Sequence, residues 1–167
     1  TVDHRKLLEV LEGRFGVKGS VLDWFTSYHQ LSTYRVNVEG ELSRIISLIC
    51  GVPQGSLLGP VLFLLYVEEL QDLVRPFGLR IKLYADDSQL YISLVPTDED
   101  GWNAAKERIE ECLSSVKVWM SEHWLKCNEA KTEFLLLGKN SALDKIVFQP
   151  TVDFGGVEIS PMECTLS

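Results

Sequence analysis

Ten residues constrain this chain more than any others: Leu83-Tyr84-Ala85-Asp86-Asp87-Ser88-Gln89-Leu90-Tyr91-Ile92. Runs of aromatic and β-branched residues, which favour sheet, flank two adjacent aspartates. Consecutive residues of a flat strand point to opposite faces, so a continuous strand could not aim both carboxylates at one ion. A tight hairpin removes that restriction. The pattern predicts strands over Leu79 to Tyr84 and Gln89 to Leu94, with Asp86 and Asp87 where the turn falls. Two hard oxygen donors at a turn suit magnesium, which takes one or two carboxylates and keeps water and phosphate as its other ligands. Two-metal phosphoryl transfer needs a further carboxylate from elsewhere in the fold. The plainer alternative is a polar β-turn, in which aspartate is favoured for its own sake.

Elsewhere the periodicity alternates between helix and strand. Leu7, Leu8 and Leu11 give a helix over Val2 to Phe15. Ser20 caps a second helix, carrying Val21, Leu22, Trp24, Phe25 and Tyr28. Thr33 to Val38 and Leu42 to Cys50 flank Glu39-Gly40-Glu41 as a hairpin. The Gly- and Pro-rich loop Gly51-Val52-Pro53-Gln54-Gly55-Ser56 leads into an apolar helix from about Leu58 to Val74. Thr97-Asp98-Glu99-Asp100 starts a long helix that buries Trp102, Ala105, Ile109, Leu113, Val116 and Met120. Its acidic first turn suits the helix dipole. Trp124 to Cys127 and Thr132 to Leu137 read as strands around a turn at Asn128. Ile146 to Phe148, and a hairpin over Val152 to Ile159 about Gly155-Gly156, complete the pattern. One α+β domain accounts for the whole.

The bulk properties narrow the function. A net charge of −8 argues against tight phosphate binding by this chain alone, because nucleic-acid binders usually present a basic face. The cysteines, Cys50, Cys112, Cys127 and Cys164, form no C-x-x-C pair and read as reduced intracellular thiols. The expected location is therefore intracellular, nuclear or cytoplasmic. The most apolar run, Leu57 to Val67, is too short to span a bilayer, so no membrane partner is expected. Thr1 falls inside a helix-forming region, which suggests a cut end.

Three segments in this order carry a family resemblance. Gly51-Val52-Pro53-Gln54-Gly55-Ser56-Leu57-Leu58-Gly59-Pro60 precedes the apolar helix, and Tyr84-Ala85-Asp86-Asp87 comes after it. Leu125-Lys126-Cys127-Asn128-Glu129-Ala130-Lys131-Thr132-Glu133 comes later still. Together they resemble the palm of a reverse transcriptase of the non-long-terminal-repeat (LINE-type) retrotransposons, over about Thr1 to Gly138. The resemblance implies a reverse-transcriptase-like palm, an antiparallel sheet packed on helices, with its core at about residues 33–138 and incomplete at both ends. It implies an RNA-dependent DNA polymerase that adds dNTPs to a primer 3′-hydroxyl on an RNA template by two-metal phosphoryl transfer. Asp86 and Asp87 match the family's catalytic aspartates, which hold two Mg2+ ions, and Tyr84 matches the aromatic of the same hairpin. Gln54 and Gly55 match the segment beside the incoming nucleotide and template base. Lys131 matches the lysine near the leaving pyrophosphate. The tail around Val152-Asp153-Phe154-Gly155-Gly156 looks like the approach to the hairpin that grips the primer.

Each match has a physical rationale and a plainer alternative. Gly55 lets backbone approach a ligand where a Cβ would collide. Gln54 offers a donor and an acceptor, or else fastens its own loop. Lys131 can give a proton or a positive charge to a leaving group, or else is a solvated surface lysine. Trp102, Trp119 and Trp124 read as core, not as base-stacking platforms. His4, His29 and His123 lack metal-ligand spacing and read as structural.

The chain departs from the family pattern at the front. The third metal-binding aspartate belongs to a D-x-x-x-A-F-D segment, and Thr1-Val2-Asp3-His4 resembles the residues immediately after that segment. Asp3 falls in the helix-forming region and is not a substitute. The first catalytic strand, the fingers and the thumb are expected in other segments of a parent polyprotein. The expectation is a fragment inactive by itself and, with a sheet edge uncovered, poorly soluble. The alternative function is a non-catalytic remnant or reused domain acting in protein or RNA binding. A two-metal nuclease ranks lower, since the Gly51 to Pro60 segment has no task there.

Overall fold

A computed structural model of the chain describes residues 2–30, 33–51, 56–95, 99–146 and 150–165, without the side chains of residues 29, 30 and 163–165. Several expectations lie outside these residues: the Gln54 and Gly55 positions, the Thr97-Asp98 helix start, the His29 side chain and the strand-like pair 147–148. The described residues combine helices with short two-stranded ladders, an α+β arrangement as expected. The chain divides into two compact units.

The first unit comprises Thr1–Glu68, Tyr84–Asp86 and His123–Leu125. Helix α1 runs His4–Gly13, shorter than expected because Asp3 caps it: its carboxylate accepts the Lys6 N–H at 2.9 Å. The structure thus gives Asp3 a capping role. Helix α1 buries His4, Leu7, Val10 and Leu11, and packs on α2 (Ser20–Gln30) and α3 (Gly59–Val67). Helix α3 contributes Leu62, Tyr66 and Val67 to this core, and Arg14 forms an ion pair with Glu68. The expected hairpin is present as two separate antiparallel ladders. Strand β1 (Thr33–Tyr34) pairs with β4 (Ile46–Ser47), and β2 (Asn37–Val38) pairs with β3 (Glu41–Leu42). Between the ladders Ser43 takes over: its Oγ accepts the Val36 N–H and its N–H donates to the Val36 carbonyl. The turn is Glu39-Gly40 alone, with φ of 52° and 95°, as a two-residue type I′ hairpin requires.

Three expectations are corrected around this unit. The helix predicted from Leu58 to Val74 is two helices, α3 and α4 (Leu70–Val74), because the backbone tightens at Glu68-Glu69 (ψ −30° and −24°). Trp124 is not core: it is 72% exposed and sits at φ 57°. Residues Trp124 to Cys127 are irregular, not a strand.

The second unit comprises Glu69–Leu83, Asp87–Glu122 and Lys126–Ser167. Its axis is α5 (Glu99–Glu122), 24 residues long. The buried stripe is Trp102, Ala105, Cys112, Val116 and Trp119. Trp102, Ala105 and Val116 are buried as expected, Ile109, Leu113 and Met120 are half-buried, and Cys112 and Trp119 complete the buried stripe on the same face. Helix α4 packs on α5 through Leu70 and Val74. Strands β5 (Arg80–Tyr84) and β6 (Asp87–Tyr91) form a two-stranded sheet. Strand β7 (Phe134–Gly138) starts two residues later than expected, and its Phe134 ring stacks on Trp102 at 5.8 Å. A short helix, α6 (Asn140–Leu143), was not expected.

The Gly155-Gly156 hairpin is present as β8 (Val152–Phe154) against β9 (Val157–Ile159), antiparallel, with Val152 and Phe154 buried towards α5. Strand β10 (Pro161–Thr165) runs parallel to β7. The described strands thus form five two-stranded ladders, one of them parallel, where a single antiparallel sheet was expected. Local turns are encoded in short motifs, but a parallel pairing across more than twenty residues leaves no periodic trace.

Candidate active-site hairpin

Strand β5 alternates Arg80, Lys82 and Tyr84 on an exposed face with Ile81 and Leu83 half-buried behind them, and this alternation fixes the register of the hairpin tip. The turn after it is Ala85-Asp86. The expected turn at Asp86-Asp87 is therefore shifted by one residue: Asp86 occupies the turn and Asp87 opens β6. Ala85 holds φ at 51°, a left-handed conformation that costs a non-glycine residue about 1–2 kcal/mol. Such strain persists where surrounding structure imposes it, and clusters at functional sites. Its effect is to place two successive carboxylates on different backbone geometries, one on the turn and one on the strand.

Both carboxylates are exposed, and among the described residues neither has a hydrogen-bond or ion-pair partner. Tyr84, 76% exposed, precedes them. An exposed adjacent pair of hard oxygen donors fits a cation that keeps most of its water. Among the described residues no group of three or more His, Cys, Asp or Glu side chains gathers at one place. Among the described residues the hairpin thus offers two carboxylates at its tip.

Lys131 lies on a separate element, a single 3₁₀ turn over Glu129–Lys131. The Asn128 carbonyl closes this turn by accepting both the Lys131 N–H and the Thr132 hydroxyl, each at 3.0 Å. The Lys131 side chain is exposed. The other charged residue of the turn, Glu129, is engaged instead: Lys117 Nζ lies 2.6 Å from its Oε1. That contact holds the Glu129 carboxyl below the usual glutamate value and the Lys117 ammonium above the usual lysine value.

Gln54 and Gly55 lie outside the described residues, and the described residues on either side of 52–55 are held within the first unit. Gly51 donates its N–H to the Val2 carbonyl at 2.7 Å and accepts from His4 Nε2 at 2.6 Å. A bridge between Asp3 and Cys50 extends this clasp. At the far flank Ser56 Oγ lies 3.2 Å from the Tyr28 hydroxyl and accepts the Leu58 N–H at 3.2 Å. Sequence reasoning assigned no anchoring role to His4, Tyr28 or Ser56. His4 lies 47 residues from its partner, and no local pattern signals such a bond.

His123 is buried, and its backbone carbonyl accepts the Tyr66 hydroxyl at 3.0 Å. Burial pushes the Cys112 thiol up to about 11. Among the described residues Cys50, Cys112 and Cys127 are free thiols, and no helix is long and apolar enough to cross a membrane.

The chain matches the family of reverse transcriptases (RNA-dependent DNA polymerases) over residues 1–159. It is similar to the RNA-directed DNA polymerase from the mobile element jockey of Drosophila melanogaster, with 31% identity over 103 residues. That stretch is 59% of this chain and 11% of the length of the relative. No solved structure gives a significant match. The family match takes in the whole Asp86-Asp87 hairpin and the Lys131 turn, and the chain belongs to the reverse transcriptase family.

Proposed function

We propose that this chain is the palm segment of an RNA-dependent DNA polymerase of the non-long-terminal-repeat retrotransposon type, with its core at about residues 33–138. The observation that carries this is the hairpin tip: Asp86 and Asp87, adjacent, exposed and unpaired among the described residues, beside a left-handed Ala85. Its partners are an RNA template, a DNA primer and dNTPs, and it works inside the cell, in the nucleus or cytoplasm.

In this proposal Asp86 and Asp87 hold two Mg2+ ions together with a carboxylate from a segment upstream. The ions, when bound, lower the pKa of the primer 3′-hydroxyl and neutralise charge on the transferring phosphate. The hydroxyl attacks the α-phosphorus in line, and the bond to the bridging oxygen breaks to release pyrophosphate. Lys131 supplies a proton or positive charge to that leaving group. Gln54 and Gly55 line the nucleotide and template base, between Gly51 and Ser56, which bond to His4 and Tyr28. Tyr84 presents its ring beside the nucleotide site.

With two of three metal carboxylates, the 167-residue chain is inactive or nearly so on its own. Primer extension with magnesium, an RNA template and dNTPs tests this. The purified chain should give no product above background. Robust extension that Asp86→Ala abolishes would contradict the incomplete metal set.

A further inference from the structure

Lys117 lies at the junction of three elements of the second unit. It projects from α5, and its Nζ lies 2.6 Å from Glu129 Oε1, on the 3₁₀ turn that ends in Lys131. The same ammonium sits over the Phe154 ring, 5.9 Å from the centroid, at the end of β8. Gly155 closes the enclosure. A Cβ there would stand 2.5 Å from Lys117 Nζ and 3.2 Å from Glu129 Oε1, and its φ of 69° already favours glycine. The β8–β9 hairpin does not depend on Lys117 for its place, because Asp153 donates its N–H to Glu110 Oε1 at 2.8 Å and Val152 and Phe154 are buried. An independently fixed hairpin thus backs a lysine that in turn restrains the turn over residues 129–131. Glu129 and Lys131 share that single turn, so restraining one side chain restrains the backbone of the other.

We propose that Lys117 is a positioning residue for Lys131: through Glu129, and braced by Phe154 and Gly155, it fixes the turn from which Lys131 reaches the leaving group. This rests on the role of Lys131 given above. Lys117 does not touch substrate. Its contribution is orientation, to which catalytic groups are sensitive at the scale of an ångström.

The test is a double-mutant cycle in the full-length polymerase that carries this segment, read as kcat and dNTP KM in primer extension. Lys131→Ala should lower kcat by about 10²-fold. Lys117→Met, which keeps the length of the side chain and drops its charge, should lower kcat about five-fold with KM unchanged, as expected for a half-exposed ion pair. Lys117→Arg should retain activity. In the Lys131→Ala background Lys117→Met should cost nothing further, because the residue it positions is gone. Gly155→Ala, which crowds the ammonium and also strains the backbone at φ 69°, should lower kcat at least as much as Lys117→Met and lower Tm as well. If Lys131→Ala is damaging while Lys117→Met is silent, or if the two losses multiply, Lys117 has no positioning role. If Lys131→Ala has wild-type kcat, the assignment of Lys131 fails as well. Thermal melts separate these outcomes from misfolding: Lys117→Met should still melt cooperatively, with Tm lowered no further than Glu129→Gln lowers it.

Discussion

The His4 imidazole donates from Nε2 to the Gly51 carbonyl at 2.6 Å, joining the first turn of α1 to the residue three positions before Gln54. A carbonyl can only accept, so Nε2 carries the proton. His4 is only 8% exposed, and its removal strands an acceptor in a poorly solvated place. His4→Ala should destabilise the chain by about 1–3 kcal/mol in urea unfolding. His4→Gln, whose amide can still donate, should recover part of that. Equal losses in the two variants would show that ring packing, not the hydrogen bond, is what matters.

Ala85 gives a second prediction. At φ 51° a glycine escapes the left-handed penalty but brings more unfolded-state entropy. Ala85→Gly should therefore lie within about 1 kcal/mol of the parent, on the stabilising side. Ala85→Val should destabilise by more than about 1 kcal/mol, because a β-branched residue is a true outlier there. Denaturant midpoints at constant m-value decide it, and a Val variant as stable as the parent would mean that the turn is not held in this conformation.

The Lys117–Glu129 pair predicts a pH dependence with a definite sign. The Glu129 pKa is lowered in the fold, chiefly by its hydrogen bond from Lys117. Its contribution to stability is present above the ordinary glutamate value of 4.5 and is lost as pH falls through the depressed native value. The Lys117 pKa is raised, chiefly by the same hydrogen bond, so its share is present below the ordinary lysine value of 10.5 and lost as pH rises through the native one. The Tm difference between parent and Glu129→Gln should be largest near neutrality and should shrink in acid and in high salt. A difference independent of pH would exclude the ion pair as its source.

Thiol reactivity tests the packing of α5. Cys112 is fully buried with its thiol pushed up to about 11, so almost none is thiolate near neutrality. A thiol reagent with mass-spectrometric readout should label half-buried Cys50 before Cys112, and Cys112 only on global unfolding. Early labelling of Cys112 would mean that α5 does not bury this face.

What the sequence announced was local, and what it concealed was not. Glu39-Gly40 and Gly155-Gly156 carry glycines where positive φ is needed, so both hairpins were legible. The turn beside Asp86 uses an alanine at positive φ, which no turn rule anticipates, and the tip accordingly fell one residue from its expected place. Tyr84, Asp86 and Asp87 are legible as a candidate site because they are neighbours in the chain. The His4–Gly51 and Lys117–Glu129 contacts were not, because each depends on how helices pack. Trp124 departs from expectation because composition favours burying tryptophan, while here, at φ 57°, it is exposed to solvent. The parallel β7–β10 ladder has no local signature at all.

The most direct measurement is primer extension on an RNA template by the full-length polymerase carrying Asp86→Asn or Asp87→Asn. Each variant keeps shape and removes a charge from a residue that has no partner among the described residues, so Tm should hold. Each should lower kcat by at least about 10²–10³-fold. Extension within a few-fold of the parent in either variant would contradict the assignment of this hairpin as the metal-holding centre of the enzyme.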